Sequence, residues 1–565
     1  MKRFLPILLG LAAALPLQAQ ITQTIKVENT YEAEVAATEK QELPMALPDS
    51  LLRFDLDYDY SVFDHPYKGS YTFKPYRIGL TPEASDDAHV LYVKAGAGYA
   101  PRTLADIVWA PKSRFGITVT GRHDGYFGYY RPGLVVGGEE GPDGGKYWGR
   151  DLHNSLSVRG GYGGDDWSLQ LEAGYDGVLA RDNWMGSREL HTGYFSTAIG
   201  SIDPDADFFW KGALRYGRTW DRVSEAGRIG ENNFRFDGCF GPSVGERGKI
   251  LMDIGLQIVQ YGGGIFDSHV GLMSLRPVYY FEGDRWRFSL GAEVSTIIRH
   301  DNRENPDARK ERMHSGRWRL PIPVASISYD LIEDALQPFA EAGGGATVNS
   351  WSSLVEQNHF INPMAVIPVQ APLENSYETL RVAGGIRGRI RYRFAYELSA
   401  GYRAVHNGLV DSAIPQVDGV LPYGYAFVDY TGAFADLKYD LRLGGFSSTG
   451  HLGLVRNFYD HEEIARVGFI RPGFFHGDLK LRYTWHNRIE AGISGRFESV
   501  RKADGVMEGL EIPGWFDLGI DAGYAFNRKL SVWVRAGNLL DEPIQLSPFH
   551  TQREQWISAG IVLKL

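Results

Sequence analysis

Charged side chains recur at every second position in two parts of the chain, a spacing that places them on one face of a β-strand. Such a face could bind a polar solute, or its charges could pair across neighbouring strands along a wet wall. We predict that these residues face a lumen and pair along its wall. They are Lys480, Arg482, Glu490, Arg496 and Glu498, and farther back Arg387, Arg389, Arg391 and Arg393, which alternate with Ile390, Tyr392 and Phe394.

Aromatic side chains cluster in the segment 123–150, which the sequence predicts to be a long extracellular loop. Their rings could stack on a sugar or on a partner surface, or they could pack one loop against another. The segment does not match a phosphate-binding loop, because Lys146 is followed by Tyr147. The aromatic candidates are Tyr126, Phe127, Tyr129, Tyr130, Tyr147 and Trp148.

Two short motifs resemble enzyme or metal sites. GPSVG at 241–245 matches the G-x-S-x-G pattern of hydrolases, but that pattern requires a strand-to-helix elbow and Ser243 lies at a predicted strand-to-strand turn. DHEE at 460–463 offers carboxylates to a metal ion, but in a predicted external loop it is typical of a solvated acidic surface. The sequence therefore predicts no catalytic residue, no metal site and no cofactor, and the protein is not expected to be an enzyme.

The elements that position these residues alternate apolar and polar side chains with a period of two. Clear examples lie at 167–174, 286–295 and 478–485, and the alternation continues through 530–536 and 557–565. One apolar and one polar face are typical of strands between lipid and a watery lumen. The pattern therefore predicts an all-β fold, a transmembrane antiparallel β-barrel.

The amino terminus has the order of features of a secretory signal peptide. Lys2 and Arg3 precede an apolar stretch that ends near Leu17, and the small residue Ala19 follows. We predict a signal peptide at 1–19. The stretch is shorter than a bilayer-spanning helix requires, which argues against an uncleaved anchor.

Composition supports the same class. The mean hydropathy is -0.26, and after the amino terminus no apolar run is long enough to span a bilayer as a helix, which excludes a helical membrane protein. The single cysteine, Cys239, cannot form an internal disulfide, so a closed hydrogen-bond ladder must supply the stability. The net charge of -10 is modest and spread along the chain, and no nucleic-acid partner is expected.

Connection lengths alternate between short and long. Short links lie at 163–166, 203–207, 245–248, 282–285, 333–335, 486–488 and 527–529, and longer ones at 123–150, 300–316, 348–378, 406–422, 502–513 and 541–554. Short periplasmic turns and long extracellular loops are typical of outer-membrane barrels. Counting strands between the links predicts about 22, spanning 89–565, after a segment 20–88 that lacks sustained alternation.

The closing region, 474–565, resembles the last strands of TonB-dependent receptors. The resemblance rests on the Ile512-Pro513 pair that leads into a strand, the FNRKLS turn and the NLLDEP break before the final strand. IKVENTYEAEV near the amino end, YTFKPYRIGLTPE at 71–83 and ENSYETLRVAGGIRGRI at 374–390 resemble TonB-dependent receptor-like outer-membrane proteins of Bacteroidota. This resemblance implies an outer-membrane location and a role in uptake.

The chain departs from that family before its first predicted strand. A receptor of this kind carries a plug of well over a hundred residues there, whereas 20–88 is a short periplasmic or lumenal segment. The departure makes coupling to TonB doubtful, and 20–88, the long loops or a partner must obstruct the lumen. Two functions stay open: a channel or receptor for solute uptake, and a structural or assembly barrel that anchors partner proteins without transport. The expected partners are outer-membrane lipid and a periplasmic or surface lipoprotein.

Overall fold

A closed antiparallel β-barrel of 22 strands forms the wall of this computed structural model, which confirms the predicted fold and strand number. The wall closes where the first strand, Leu91–Tyr99, pairs with the last, Trp556–Lys564, with Ala95 opposite Ile561. The structure describes residues 90–565 except 114, 132–145, 183–185, 204–205, 224–226, 264–267, 302–320, 359, 362–372, 374, 392, 414–422, 461–467, 506–507, 548–549 and 553. The predicted signal peptide 1–19 and the segment 20–88 lie outside the described residues.

Each wall strand pairs with its neighbours along the chain. The wall consists of β1 Leu91–Tyr99, β2 Arg102–Trp109, β3 Thr118–Tyr130, β4 Tyr147–Gly163, β5 Trp167–Asp182, β6 Gly186–Ser201, β7 Phe208–Val223, β8 Gly227–Val244, β9 Gly248–Gly262, β10 Ser268–Glu282, β11 Trp286–Asp301, β12 Ile322–Tyr329, β13 Gln337–Thr347, β14 Ser376–Ile390, β15 Phe394–Ala413, β16 Tyr423–Leu443, β17 Phe446–Tyr459, β19 Phe475–Trp485, β20 Ile489–Glu498, β23 Trp515–Ala525, β24 Leu530–Gly537 and β27 Trp556–Lys564. Shorter strands in the connections are β18 Phe469–Ile470, β21 Arg501–Asp504, β22 Glu511–Ile512, β25 Gln545–Ser547 and β26 His550–Thr551.

One described helix, α1 Trp351–Gln357, follows β13. No helix among the described residues is long and apolar enough to cross a membrane.

The outer face of the wall is apolar and exposed. On β11, β19 and β20, Leu290, Leu479 and Ile493 point outward and leave between 40% and 63% of their surface uncovered. The side chains between them point into the barrel and are polar or small. Exposed apolar side chains in a continuous belt have no favourable place in water, so this surface contacts lipid.

Tryptophans mark one edge of the apolar belt. Five outward tryptophans lie within the first or last three residues of their strands, at the same end of the barrel: Trp109, Trp167, Trp210, Trp286 and Trp485. Indole rings favour the headgroup layer, because one end is apolar and the N–H remains hydrated. These tryptophans therefore form a girdle at this edge of the belt.

The predicted short links and the predicted long links lie at opposite ends of the barrel, and the end with the long links also carries the two-residue connection 100–101 between β1 and β2. All seven predicted short links fall at the end with the tryptophan girdle, and the predicted long links fall at the other. A left-handed backbone allows a tight turn between two strands. His486 and Asn487 have φ of 48° and 54°, and a turn with positive φ at both central residues follows the twist of the strands that it joins.

Several predicted loop boundaries were wrong. Residues 123–130 belong to β3 and 406–413 to β15, so both strands extend beyond the apolar belt into the rim. Polar residues at these strand ends resemble loop composition because both faces there meet water, and the period-two signal is lost.

Labelling of single cysteines tests which end faces the cell exterior. In a Cys239→Ser background, we expect a membrane-impermeant maleimide to label Lys502→Cys on intact cells, since Lys502 is exposed at the long-loop end. Asn487→Cys at the short-turn end should react only after the outer membrane is opened. Labelling of Asn487→Cys alone on intact cells would reverse the orientation.

Candidate functional site

The connection between β13 and β14 begins inside the barrel with the lumenal helix, α1. Its sequence explains its start: the Ser350 side chain caps the helix by accepting a hydrogen bond from the Ser353 N–H at 3.3 Å. Trp351, Leu354 and Val355 follow at helical spacing and are at most 1% exposed. The helix therefore presents one continuous apolar face.

That apolar face packs against inward-pointing side chains of the wall. Leu190 on β6, Ile229 on β8, Val259 on β9, Val270 on β10 and Ile297 on β11 form one buried cluster with it. A wall that otherwise faces water carries apolar side chains at these positions because the helix covers them. The helix thus lies along one side of the lumen and narrows it.

A buried ion pair fixes the helix to the wall. Arg188 on β6 and Asp221 on β7 are fully covered, and the Arg188 Nε donates to Asp221 Oδ1 at 2.9 Å. The Trp351 indole N–H donates to Asp221 Oδ2 at 2.7 Å, and Arg188 Nη1 donates to the carbonyl of Ile361 at 2.8 Å. Because each buried charge has partners, removing one partner leaves the other charge uncompensated.

A second polar contact holds the first turn of the helix. Glu231 on β8 accepts hydrogen bonds from the Ser352 backbone N–H at 2.9 Å and from the Ser352 hydroxyl at 2.6 Å. The Tyr261 hydroxyl accepts one from the Trp351 backbone N–H at 3.1 Å. A carboxylate near the N-terminus of a helix also interacts favourably with the helix dipole. Free backbone N–H groups at the helix start are therefore satisfied by the wall itself.

Sequence reasoning placed 348–378 in an external loop and missed this helix. The connection is at the long-loop end, as predicted, but its first residues turn into the lumen. A helical signal was present, since Trp351, Leu354 and Val355 follow a serine cap at spacings of three and four. The wall partners Arg188, Asp221 and Glu231 gave no signal, because they lie more than a hundred residues away in sequence.

Charged pairs line the opposite side of the lumen. Arg482 Nε lies 2.8 Å from Glu490 Oε1, between β19 and β20, and Arg496 Nη2 lies 2.8 Å from Asp517 Oδ2, between β20 and β23. Lys480 lies opposite Ser494. Ten wall strands lie between β8 and β20 in either direction around the barrel, so this wall is on the side opposite the lumenal helix. The predicted lumen residues Arg482, Glu490 and Arg496 therefore pair across neighbouring strands.

Glu498 belongs to a different group, at the long-loop rim. Its carboxylate lies 3.6 Å from the Nε of Arg501, which also pairs with Asp411 at 3.1 Å. All three side chains are buried beneath the connections around β18 and β21. Glu498 therefore connects segments of the rim and does not line the lumen.

The four arginines of 387–393 do not share one strand, which corrects the sequence prediction for two of them. Arg387 donates to Gln337 at 2.6 Å along the inner wall, and Arg389 is on the same strand face. The strand ends at Ile390, and Arg391, with φ of 49°, and Arg393 are exposed in the turn to β15. A turn of three residues continues the apparent alternation by chance.

The aromatic candidates lie on paired strands and not in a loop. Tyr130 stacks on Tyr147 across β3 and β4 at 5.6 Å, and Tyr126 packs edge-on against Tyr130; all three are buried inside the barrel. Tyr129 and Trp148 pair edge-on at 5.2 Å on the outer face, where both are exposed. Phe127 also points outward. The two faces of the sheet therefore separate the six rings, and no single aromatic surface forms.

The other two motifs carry no catalytic arrangement in the described part of the chain. Ser243 is at the end of β8, and its hydroxyl donates to the carbonyl of Ala206 at 2.9 Å. This is the predicted strand-to-strand turn. Of DHEE, only Asp460 is described, and 461–463 lie outside the described residues.

Comparison with known proteins gives the fold. A scan against protein-family models found no match, and a search of curated protein sequences found none. Solved structures do match. The copper transporter OprC superposes with a TM-score of 0.61 at 12% identity, over 84% of this chain and 80% of that one.

Two further structures agree. The iron transporter FrpB of Neisseria meningitidis has a TM-score of 0.62 at 11% identity, over 85% of this chain and 82% of that one. The siderophore receptor PirA of Acinetobacter baumannii has 0.61 at 9%, over 86% and 81%. These neighbours are transporters of copper and iron and a siderophore receptor.

The fold is that of outer-membrane transport receptors. Together with the apolar belt and the tryptophan girdle, it makes this protein a multi-pass β-barrel of the outer membrane.

Proposed function

We propose that this protein is a channel or receptor for solute uptake across the outer membrane, with a passage between the lumenal helix and the charged wall of β19, β20 and β23. The observation that supports it is the helix anchored inside a wide closed wall. A barrel of this strand number would leak solutes if its lumen were open. In this proposal the inward-folded segment restricts the lumen, and the charged wall beside it provides the route.

The charged wall indicates that the transported solute is polar. Arg482, Glu490, Arg496 and Asp517 present both signs of charge at intermediate exposure. Salt bridges that keep contact with water are weak and can exchange partners with a passing solute at little cost. An anchoring barrel without transport would also need an obstructed lumen, but it would have no need of a charged wall beside the obstruction.

Conductance in planar bilayers tests this proposal. The unpinned variant, Trp351→Ala with Leu354→Ala and Val355→Ala, loses the buried face of the helix and should conduct several-fold more than the full chain. Glu356→Asp, which keeps the charge on the exposed side of the helix, is the matched control and should leave conductance unchanged. Heat-modifiable migration on gels confirms that each barrel is folded.

The segment 20–88 is tested in the same series. Its deletion, alone and combined with the unpinned variant, separates two obstructions of one lumen. We expect the combined variant to conduct most and to sensitise cells to large antibiotics. If all four proteins are folded and none passes ions or solutes, the uptake proposal is wrong and the anchoring role replaces it.

A further inference from the structure

We propose that Asp436, His451 and His476 form a binding site for a divalent transition metal ion, with zinc as the ion whose chemistry fits best. The three residues come from β16, β17 and β19, which are adjacent in the wall. One ligand atom from each lies within 4.8 Å of the other two. Two imidazoles and one carboxylate are a ligand set that zinc takes in proteins.

Strand register brings the three residues together. Asp436 is opposite Gly453 on β17, and Gly453 is opposite His476 on β19. His451 is one inward position from Gly453 on the same strand. Neighbouring Leu437, Leu452 and Phe475 are exposed on the lipid face, so all three ligands point into the barrel.

Gly453 provides the space that the site needs. A Cβ added at this position would lie 2.1 Å from Nε2 of His476. The imidazole of His476 therefore occupies the room above Gly453 that a side chain would fill. It is 8% exposed, whereas the side chains of Asp436 and His451 are about one-third exposed to the lumen.

The contacts of His451 resemble those of a metal ligand and its supporting carboxylate. Its Nε2 lies 3.0 Å from Asp436 Oδ1, and its Nδ1 lies 3.7 Å from Asp478 Oδ1 on β19. A histidine that binds metal through one nitrogen commonly donates the other N–H to a carboxylate, which fixes the ring. Asp478 is placed for that role.

The three ligand atoms need to move only a short distance to bind a metal ion. Ligands about 2.0–2.2 Å from a tetrahedral zinc ion stand about 3.3–3.6 Å apart. Asp436 and His451 are already near this separation, and rotation of the His476 ring toward them would complete three ligands. The fourth position faces the lumen and is open to water or to a group on a solute.

Titration calorimetry with zinc chloride on the tag-free, chelator-treated full chain tests this site. We expect one saturable equivalent per chain, with His451→Ala and His476→Ala each losing most of the affinity. Asp478→Asn keeps all three ligands and should weaken binding by about 10–100-fold, the usual effect of removing a supporting carboxylate. Gly453→Ala should also weaken it, by displacing His476.

His406→Ala is the matched control. His406 contacts Asp429 at 2.7 Å on the outer face and does not belong to the cluster of Asp436, His451 and His476, so its loss should leave zinc binding unchanged. X-ray absorption of the zinc-loaded protein should show nitrogen and oxygen ligands with a histidine signature. No saturable binding, or equal binding in His451→Ala and His406→Ala, would overturn the proposal. Metal binding does not depend on transport, so this result is independent of the conductance series.

Discussion

Arg188→Ala is expected to lower the free energy of unfolding by about 3–5 kcal/mol, the usual cost of breaking a buried ion pair. The variant leaves Asp221 buried with its charge uncompensated and removes the hydrogen bond to the Ile361 carbonyl. The lumenal helix should detach before the wall unfolds, because Asp221 also holds Trp351. Urea titration in lipid vesicles measures the stability, and tryptophan fluorescence reports the detachment.

Two comparisons make that result specific. Arg235→Ala removes an exposed pair with Asp237, about half of each side chain being uncovered, and should cost less than about 1 kcal/mol. Arg188→Met combined with Asp221→Leu removes both charges and should cost less than Arg188→Ala alone. Equal losses in Arg188→Ala and Arg235→Ala would show that the buried pair does not anchor the helix.

Ile493→Arg is the second variant with a large expected effect. Ile493 lies in the middle of β20 and points into lipid, where arginine near the bilayer midplane costs about 2–4 kcal/mol. The same argument applies to Val534 on β24 and to Leu481 on β19. Refolding from urea into vesicles gives the free energy.

Ser494→Arg is the control on the adjacent residue. Ser494 points into the lumen beside Lys480, where an added arginine remains hydrated and should cost little. Since successive residues on a strand face opposite sides, the two variants report the register directly. Similar losses at 493 and 494 would mean that the two faces are assigned wrongly.

The wall of the barrel was predictable because its signal is local. Alternation along Leu479, Leu481, Tyr483 and Trp485 reflects only the pleat of one strand between two solvents. The turns were predictable for the same reason, because short links rich in charged residues and glycine are also a local signal. The strand number of 22 followed from counting these segments, without knowing which residues are opposite each other.

The interior was less predictable because it depends on register between distant segments. Asp436, His451 and His476 are separated by 15 and 25 residues, and only the pairing of three strands places them together. Arg188 and Trp351 are on elements far apart in the chain. A local pattern can also mislead. Arg391 and Arg393 continue the alternation of the preceding strand in the sequence, but they lie in a three-residue turn.

The pairing of β1 with β27 has a consequence for how the protein is made. Leu91–Tyr99 has no neighbour on one side until Trp556–Lys564 arrives, so every shorter intermediate carries two open sheet edges. Contacts that join segments this far apart form slowly. An intermediate with these open edges is prone to self-association until the two most distant strands of the wall pair.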